Sequence, residues 1–94
     1  MHVGLCILEI HLPASHSLKD KRRVLRGLKD RLRSRFNVSV AEIDHQDLWQ
    51  RATLGIVSIS QGREPLESCF RQIRGIVESE LPGDLVSFEV EYLT

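Results

Sequence analysis

The 94-residue chain carries 13 Lys and Arg against 13 Asp and Glu, so its formal net charge is zero, with 41% hydrophobic and 28% charged residues. These values describe a soluble globular protein with enough apolar surface for one core and not two, so residues 1–94 are read as a single domain. No apolar run approaches the ~20 residues that span a bilayer, and the neutral total argues at first sight against a polyanionic partner.

Residues 3–12 are apolar and β-compatible until Pro13, and the run is apolar on both faces for most of its length, as in a central strand. It begins with no basic segment, is broken by Glu9 and His11 and shows no cleavage site, so it reads as structure and not as a leader. Ser17 is an N-cap residue, and Asp20 stands three positions on, close to a capping box. Leu18, Leu25, Leu28, Leu32 and Phe36 then fall within about 80° on a helical projection, an amphipathic helix of about 18 residues that Asn37 can end in the left-handed conformation.

Residues 38–44 alternate as a strand, residues 45–48 are a short polar connection, and residues 50–60 form a second strand, together a hairpin. Residues 61–63 are a turn, and Pro65 suits the first turn of a second helix. That helix has apolar positions at Leu66, Cys69, Phe70, Ile73, Ile76, Val77 and Leu81, and Pro82-Gly83 ends it. Residues 85–93 alternate, with Val86, Phe88, Val90 and Tyr92 on one side and Ser87, Glu89 and Glu91 on the other. The order β-α-β-β-α-β with right-handed crossovers predicts an α+β ferredoxin-like sandwich: a four-stranded antiparallel sheet, order 4-1-3-2, with two helices on one face.

The neutral total hides a separation. Residues 19–35 hold nine bases against Asp20 and Asp30, a net +7, while the rest of the chain carries four bases and eleven acids, a net −7. Lys19, Arg22, Arg26, Lys29 and Arg33 form one stripe roughly 80° wide beside the apolar arc. Arg31 and Arg35 lie on the opposite flank. Like charges at i, i+4 cost a few tenths of a kcal/mol each, so stability alone favours mixed signs here. The stripe points to an anionic partner, RNA or the ribosome, held through phosphates; the alternative is a solvated face offset by glutamates elsewhere in the fold or in a second subunit. Neither central strand contains an aromatic residue, so the sheet is not a base-stacking platform.

If Cys6, Leu8 and Ile10 pack under the helices, Val3, Leu5, Ile7, Glu9 and His11 face outward, and the open face predicts a homodimer interface. Trp49 belongs to that predicted interface as a partner anchor, or else covers the end of the core. The four histidines and two cysteines show no metal spacing, and Cys6 and Cys69 are too few for a disulfide scaffold, so neither metal nor cofactor is expected and the location is cytoplasmic. His16 and Ser17, at the start of the basic helix, suit either an anion contact or an ordinary cap. The set His45, Asp47 and Arg51 offers acid–base groups without a nucleophile, and no catalytic residue is assigned; a small enzyme centred on these three stays as an alternative, beside a protein-interaction or ligand-sensing module.

Residues 15–22, 35–42 and 45–52, Ser-His-Ser-Leu-Lys-Asp-Lys-Arg, Arg-Phe-Asn-Val-Ser-Val-Ala-Glu and His-Gln-Asp-Leu-Trp-Gln-Arg-Ala, together resemble the YlxP-like family of small bacterial proteins. The resemblance covers nearly the whole chain. It implies a ferredoxin-like fold and genes lying among those for transcription-termination, translation-initiation and ribosome-binding factors, a link to RNA by association. It brings no catalytic residues.

Overall fold

The computed structural model describes residues 1–93. Its elements are β1 (His2–His11), α1 (Leu18–Arg35), β2 (Val38–Asp44), β3 (Arg51–Ser60), α2 (Arg63–Glu80) and β4 (Leu85–Tyr92). The strands form one antiparallel sheet in the order β2-β3-β1-β4, the expected 4-1-3-2 read from the other edge. β1 is central, which is why its sequence is apolar on both faces.

The even positions of β1 face the helices. Cys6, Leu8 and Ile10 join Leu25, Leu28 and Leu32 of α1, Leu66, Phe70, Ile73 and Val77 of α2 and Ala52, Leu54 and Ile56 of β3 in one buried core. Gly4 lets α2 approach this layer, since a Cβ there would stand 2.6 Å from the Phe70 ring. The odd positions, Val3, Leu5 and Ile7, lie on the uncovered face, half-buried among their neighbours.

Three local expectations are corrected. Asn37 does not turn left-handed: α1 ends through Phe36 in extended conformation, and Asn37, just ahead of β2, is held against β3 instead, its Nδ2 donating to the Ile59 carbonyl at 3.2 Å and its own carbonyl accepting from Ser58 Oγ at 2.8 Å. Helix α2 starts at Arg63, with Gly62 as its cap, so Arg63 belongs to the helix and not to the expected turn, while Pro65 stands in the first turn as expected, where a backbone N–H still has no intrahelical partner. In β4 the pairing slips between Glu9↔Ser87 and Ile10↔Leu85, which leaves Val86 as the extra residue of a bulge. Leu85 therefore packs against the core and Val86 is 70% exposed, in place of the regular alternation. After α2, Gly83 takes φ 78°, a conformation that glycine adopts without a Cβ penalty.

Candidate nucleic-acid interface

Ser17 caps α1, its Oγ accepting from the Asp20 N–H at 3.0 Å, while Asp20 Oδ2 accepts from the His16 N–H at 3.1 Å. Ser17 is thereby committed to the cap, and the His16 side chain stands exposed beside it. Along the predicted stripe, Lys19, Arg22 and Arg26 are exposed and Lys29 half-buried; among the described residues none of the four makes a side-chain hydrogen bond or ion pair. Arg33, the fifth, is held: its Nη2 donates to the Val40 carbonyl at 2.8 Å, and Asp30 lies 3.9 Å from its Nη1. That contact puts a cation against edge strand β2, where unpaired backbone groups would otherwise invite another strand. On the opposite flank Arg31 pairs with Glu80 of α2, and the Arg35 guanidinium lies 5.6 Å from the centre of the Phe36 ring. Arg23 is also exposed and without an ion pair among the described residues, so the free positive charge gathers on the first twelve residues of α1: Lys19, Arg22, Arg23, Arg26 and Lys29.

Lys21, counted with the basic residues, does something else. It is 1% exposed, with Nζ 2.7 Å from Glu42 Oε2 and donating to the carbonyls of His45 (2.8 Å), Arg51 (3.1 Å) and Gln46 (3.4 Å). Glu42 Oε2 is buried with this ammonium as its partner. A buried charge must be paired and hydrogen-bonded, and the ammonium is satisfied by a carboxylate and three carbonyls. One signal in the sequence marks it: on the helical projection Lys21 falls inside the apolar arc, between Leu28 and Leu32. Its effect is to fasten the connection between β2 and β3 to the first turns of the basic helix.

That connection, residues 45–50, is shaped by His45, whose φ of 62° is the one left-handed backbone among described non-glycine residues. The His45 ring is placed by a chain across the open face. Its Nδ1 lies 2.8 Å from Thr53 Oγ1, and that hydroxyl donates to Glu9 at 2.9 and 3.0 Å. A hydroxyl has one proton to give, so Thr53 accepts from the His45 Nδ1–H. Arg51 Nη2 stands 3.8 Å from Glu9 on the other side. His45 and Arg51 thus meet at one carboxylate, whereas Asp47 remains exposed outside the chain of contacts. The cleft beside them, about 420 Å³, is lined by His11, Leu48, Trp49, Gln50 and Arg51, and not by His45 or Asp47. Trp49 is 50% exposed on its wall, so it does not cover the end of the core. Glu9 and Thr53 went unrecognised from sequence because strand pairing, and not spacing, brings them together across 44 positions.

The uncovered sheet face is apolar at its centre. Val3, Leu5 and Ile7 of β1 pair with Ile59, Val57 and Gly55 of β3, and Ile43 lies over Gly55; Glu91 and Glu89 stand opposite Leu5 and Ile7 on the β4 edge. Of the two free thiols, burial pushes Cys6 up to about 12, with Arg74 opposing and Cys69 adding to the rise; burial raises Cys69 too, against the opposing influence of the neighbouring Ser58 hydroxyl. Neither is a thiolate at neutral pH, so neither serves as a nucleophile there. Among the described residues no three His, Cys, Asp or Glu side chains group so as to hold a metal ion, and no helix is long and apolar enough to cross a membrane.

Comparison with known proteins bears on family and fold. The family model described as "Protein of unknown function (DUF503)" matches residues 3–90. The "Uncharacterized protein YlxP" of Bacillus subtilis (strain 168) is 35% identical over 77 residues, 82% of this chain and 84% of that one. Among solved structures, a de novo designed protein with ferredoxin fold, LFR1 1, superposes with a TM-score of 0.58 at 14% identity, over all of this chain and 86% of its own. The de novo designed protein Foldit4 superposes with the same score and identity, over all of this chain and 98% of its own. At that identity these two matches speak to the fold alone.

Proposed function

The chain belongs to the DUF503 family of proteins of unknown function, and from that premise we propose that it is a non-enzymatic cytoplasmic domain that holds the phosphate backbone of structured RNA on α1, as part of a ribosome-associated role. The observation that carries this reading is the row Lys19, Arg22, Arg26 and Lys29, without an acidic partner among the described residues, on a chain whose other segments carry a net negative charge. Where the fold needs a cation on this helix, at Lys21, Arg31 and Arg33, it supplies a carboxylate or a carbonyl to meet it. The unmatched ones serve no such contact. Arginine's planar fork suits phosphate oxygens, and backbone contacts of this kind select shape over base sequence. The RNA assignment draws on the gene context implied by the family resemblance, and the cytoplasmic one on two unpaired cysteines. Retention of a structured RNA at two salt concentrations tests it. Four phosphate contacts predict a fall of log K with log salt of slope about −3 to −4. Binding indifferent to salt, or untouched by Arg22→Glu with Arg26→Glu, would contradict it.

A second reading follows from the open sheet. Val3, Leu5, Ile7, Ile43, Val57 and Ile59 form a contiguous apolar surface that no second layer covers among the described residues, and self-association through it would bury that surface. Sedimentation of a monomer at micromolar concentration would exclude it.

A further inference from the structure

We propose that the cleft beside Trp49 seats one unstacked base of a single-stranded nucleotide, with the flanking phosphate on Arg51 and His11, next to a duplex lying on α1. This inference rests on the phosphate-binding reading of that helix.

Trp49 presents a large aromatic surface to water from a segment that is held firmly. Lys21 takes three carbonyls of that segment and its border, at His45, Gln46 and Arg51. The Gln50 amide donates to the Pro13 and Ser15 carbonyls at 3.2 and 3.1 Å, and Leu48 N–H closes onto the His45 carbonyl at 3.1 Å. A ring whose only role was apolar burial would sit in the core that its own loop borders. Here it is fixed at the wall of a 420 Å³ cleft, within the range of small-ligand sites.

The polar lining favours a nucleotide over an apolar guest. Arg51 and His11 are exposed on adjacent strands at paired positions of β1 and β3. Arg51 faces the Glu9 carboxylate as an ion pair at 3.8 Å, beyond hydrogen-bond reach, and its side chain makes no hydrogen bond within the described residues. The guanidinium donors are therefore open to a phosphate. Every base has a π-face, so one stacked ring gives affinity for an unpaired nucleotide without base readout.

Position supports the same occupant. Lys21 in the first turns of α1, and the Pro13 and Ser15 carbonyls just before that helix, hold the cleft segment, so the cleft and the N-terminal end of α1 share one end of the fold. On this proposal, a strand leaving a duplex held on α1 at that end is the one that Trp49 receives.

Trp49 is the only tryptophan, so its emission reports this site alone. The test titrates the full chain with a blunt RNA duplex and with the same duplex carrying a short single-stranded overhang. The overhang should quench the emission and bind at least about fivefold more tightly, the lower end of what stacking one base contributes. Trp49→Ala should bring the two affinities together while leaving blunt-duplex binding intact, Trp49→Phe should retain most of the preference, and Arg22→Glu with Arg26→Glu should weaken both RNAs. Equal affinity for the two RNAs with unquenched emission would overturn this inference and leave the α1 reading standing. Failure of both RNAs to bind would overturn the α1 reading and this inference with it. Emission that shifts with protein concentration alone would assign the cleft to a second copy of the chain instead.

Discussion

Lys21 and Glu42 meet at 2.7 Å beneath the apolar face of α1, and the same ammonium gathers three carbonyls from the stretch that follows β2. Removing one partner of a buried pair costs about 3–5 kcal/mol because it strands the other. Lys21→Met also orphans the carbonyls, so it should fall in that range in urea unfolding. Glu42→Gln keeps an acceptor beside an ammonium that retains its three carbonyls, and should cost about 1–2 kcal/mol. A Lys21→Met protein within about 0.5 kcal/mol of wild type would mean that this contact does not hold the segment.

The exposed bases should behave in the opposite way. Arg22→Glu and Arg26→Glu break no ion pair or hydrogen bond of their side chains within the described residues, so unfolding free energy should change by no more than about 0.5 kcal/mol. The salt slope of RNA binding should flatten by about one for each phosphate left without its cation, and by about two for the pair. Measuring both quantities on the same variants separates a binding surface from a structural one.

Two glycines make a matched test of packing. A Cβ at Gly4 would stand 2.6 Å from Phe70 and 3.3 Å from Leu66, so Gly4→Ala should cost about 1–3 kcal/mol through overpacking of α2 on β1. At Gly27, mid-way along α1, a Cβ meets nothing within 4 Å. Gly27→Ala should therefore add about 0.5–1 kcal/mol, the ordinary helix preference. Denaturation midpoints of the two variants should move in opposite directions.

The Cys6 thiol sets an alkaline limit. Its folded value of about 12 lies above the ordinary 9.0, so the folded state keeps a proton that the unfolded chain releases. The contribution is intact below pH 9 and declines as pH rises from there towards 12, by up to about 1.4 kcal/mol per unit. Cys6→Ala should lose some packing stability at pH 7 and show a shallower decline between about pH 9 and 11. An unchanged decline in that variant would place the titration on another group.

The sequence announced the fold through its periodicities. Alternation in residues 38–44 and 3.6-residue spacing from Leu18 are local properties, and chirality leaves few ways to close a β-α-β-β-α-β chain. Where local rules met competing long-range contacts, they misled. Asn37 has the chemistry to end a helix left-handed, yet side-chain hydrogen bonds shared with Ser58 and Ile59 hold it against β3. Val86 sits at an apolar beat of β4, yet a register slip against Ile10 turns it outward.

The candidate site divides along the same line. That a basic row flanks the apolar arc of the first helix is determined by the order of residues 19–33 alone, because helix geometry is indifferent to the rest of the chain. Which of those charges are free is decided only by the tertiary structure. An ion pair depends on what stands within a few ångströms, and those partners, Glu42 for Lys21, Glu80 for Arg31 and the Val40 carbonyl for Arg33, arrive from other elements. The zero net charge therefore conceals a molecule whose cations are partly consumed by its own fold, with the remainder collected on the first twelve residues of one helix.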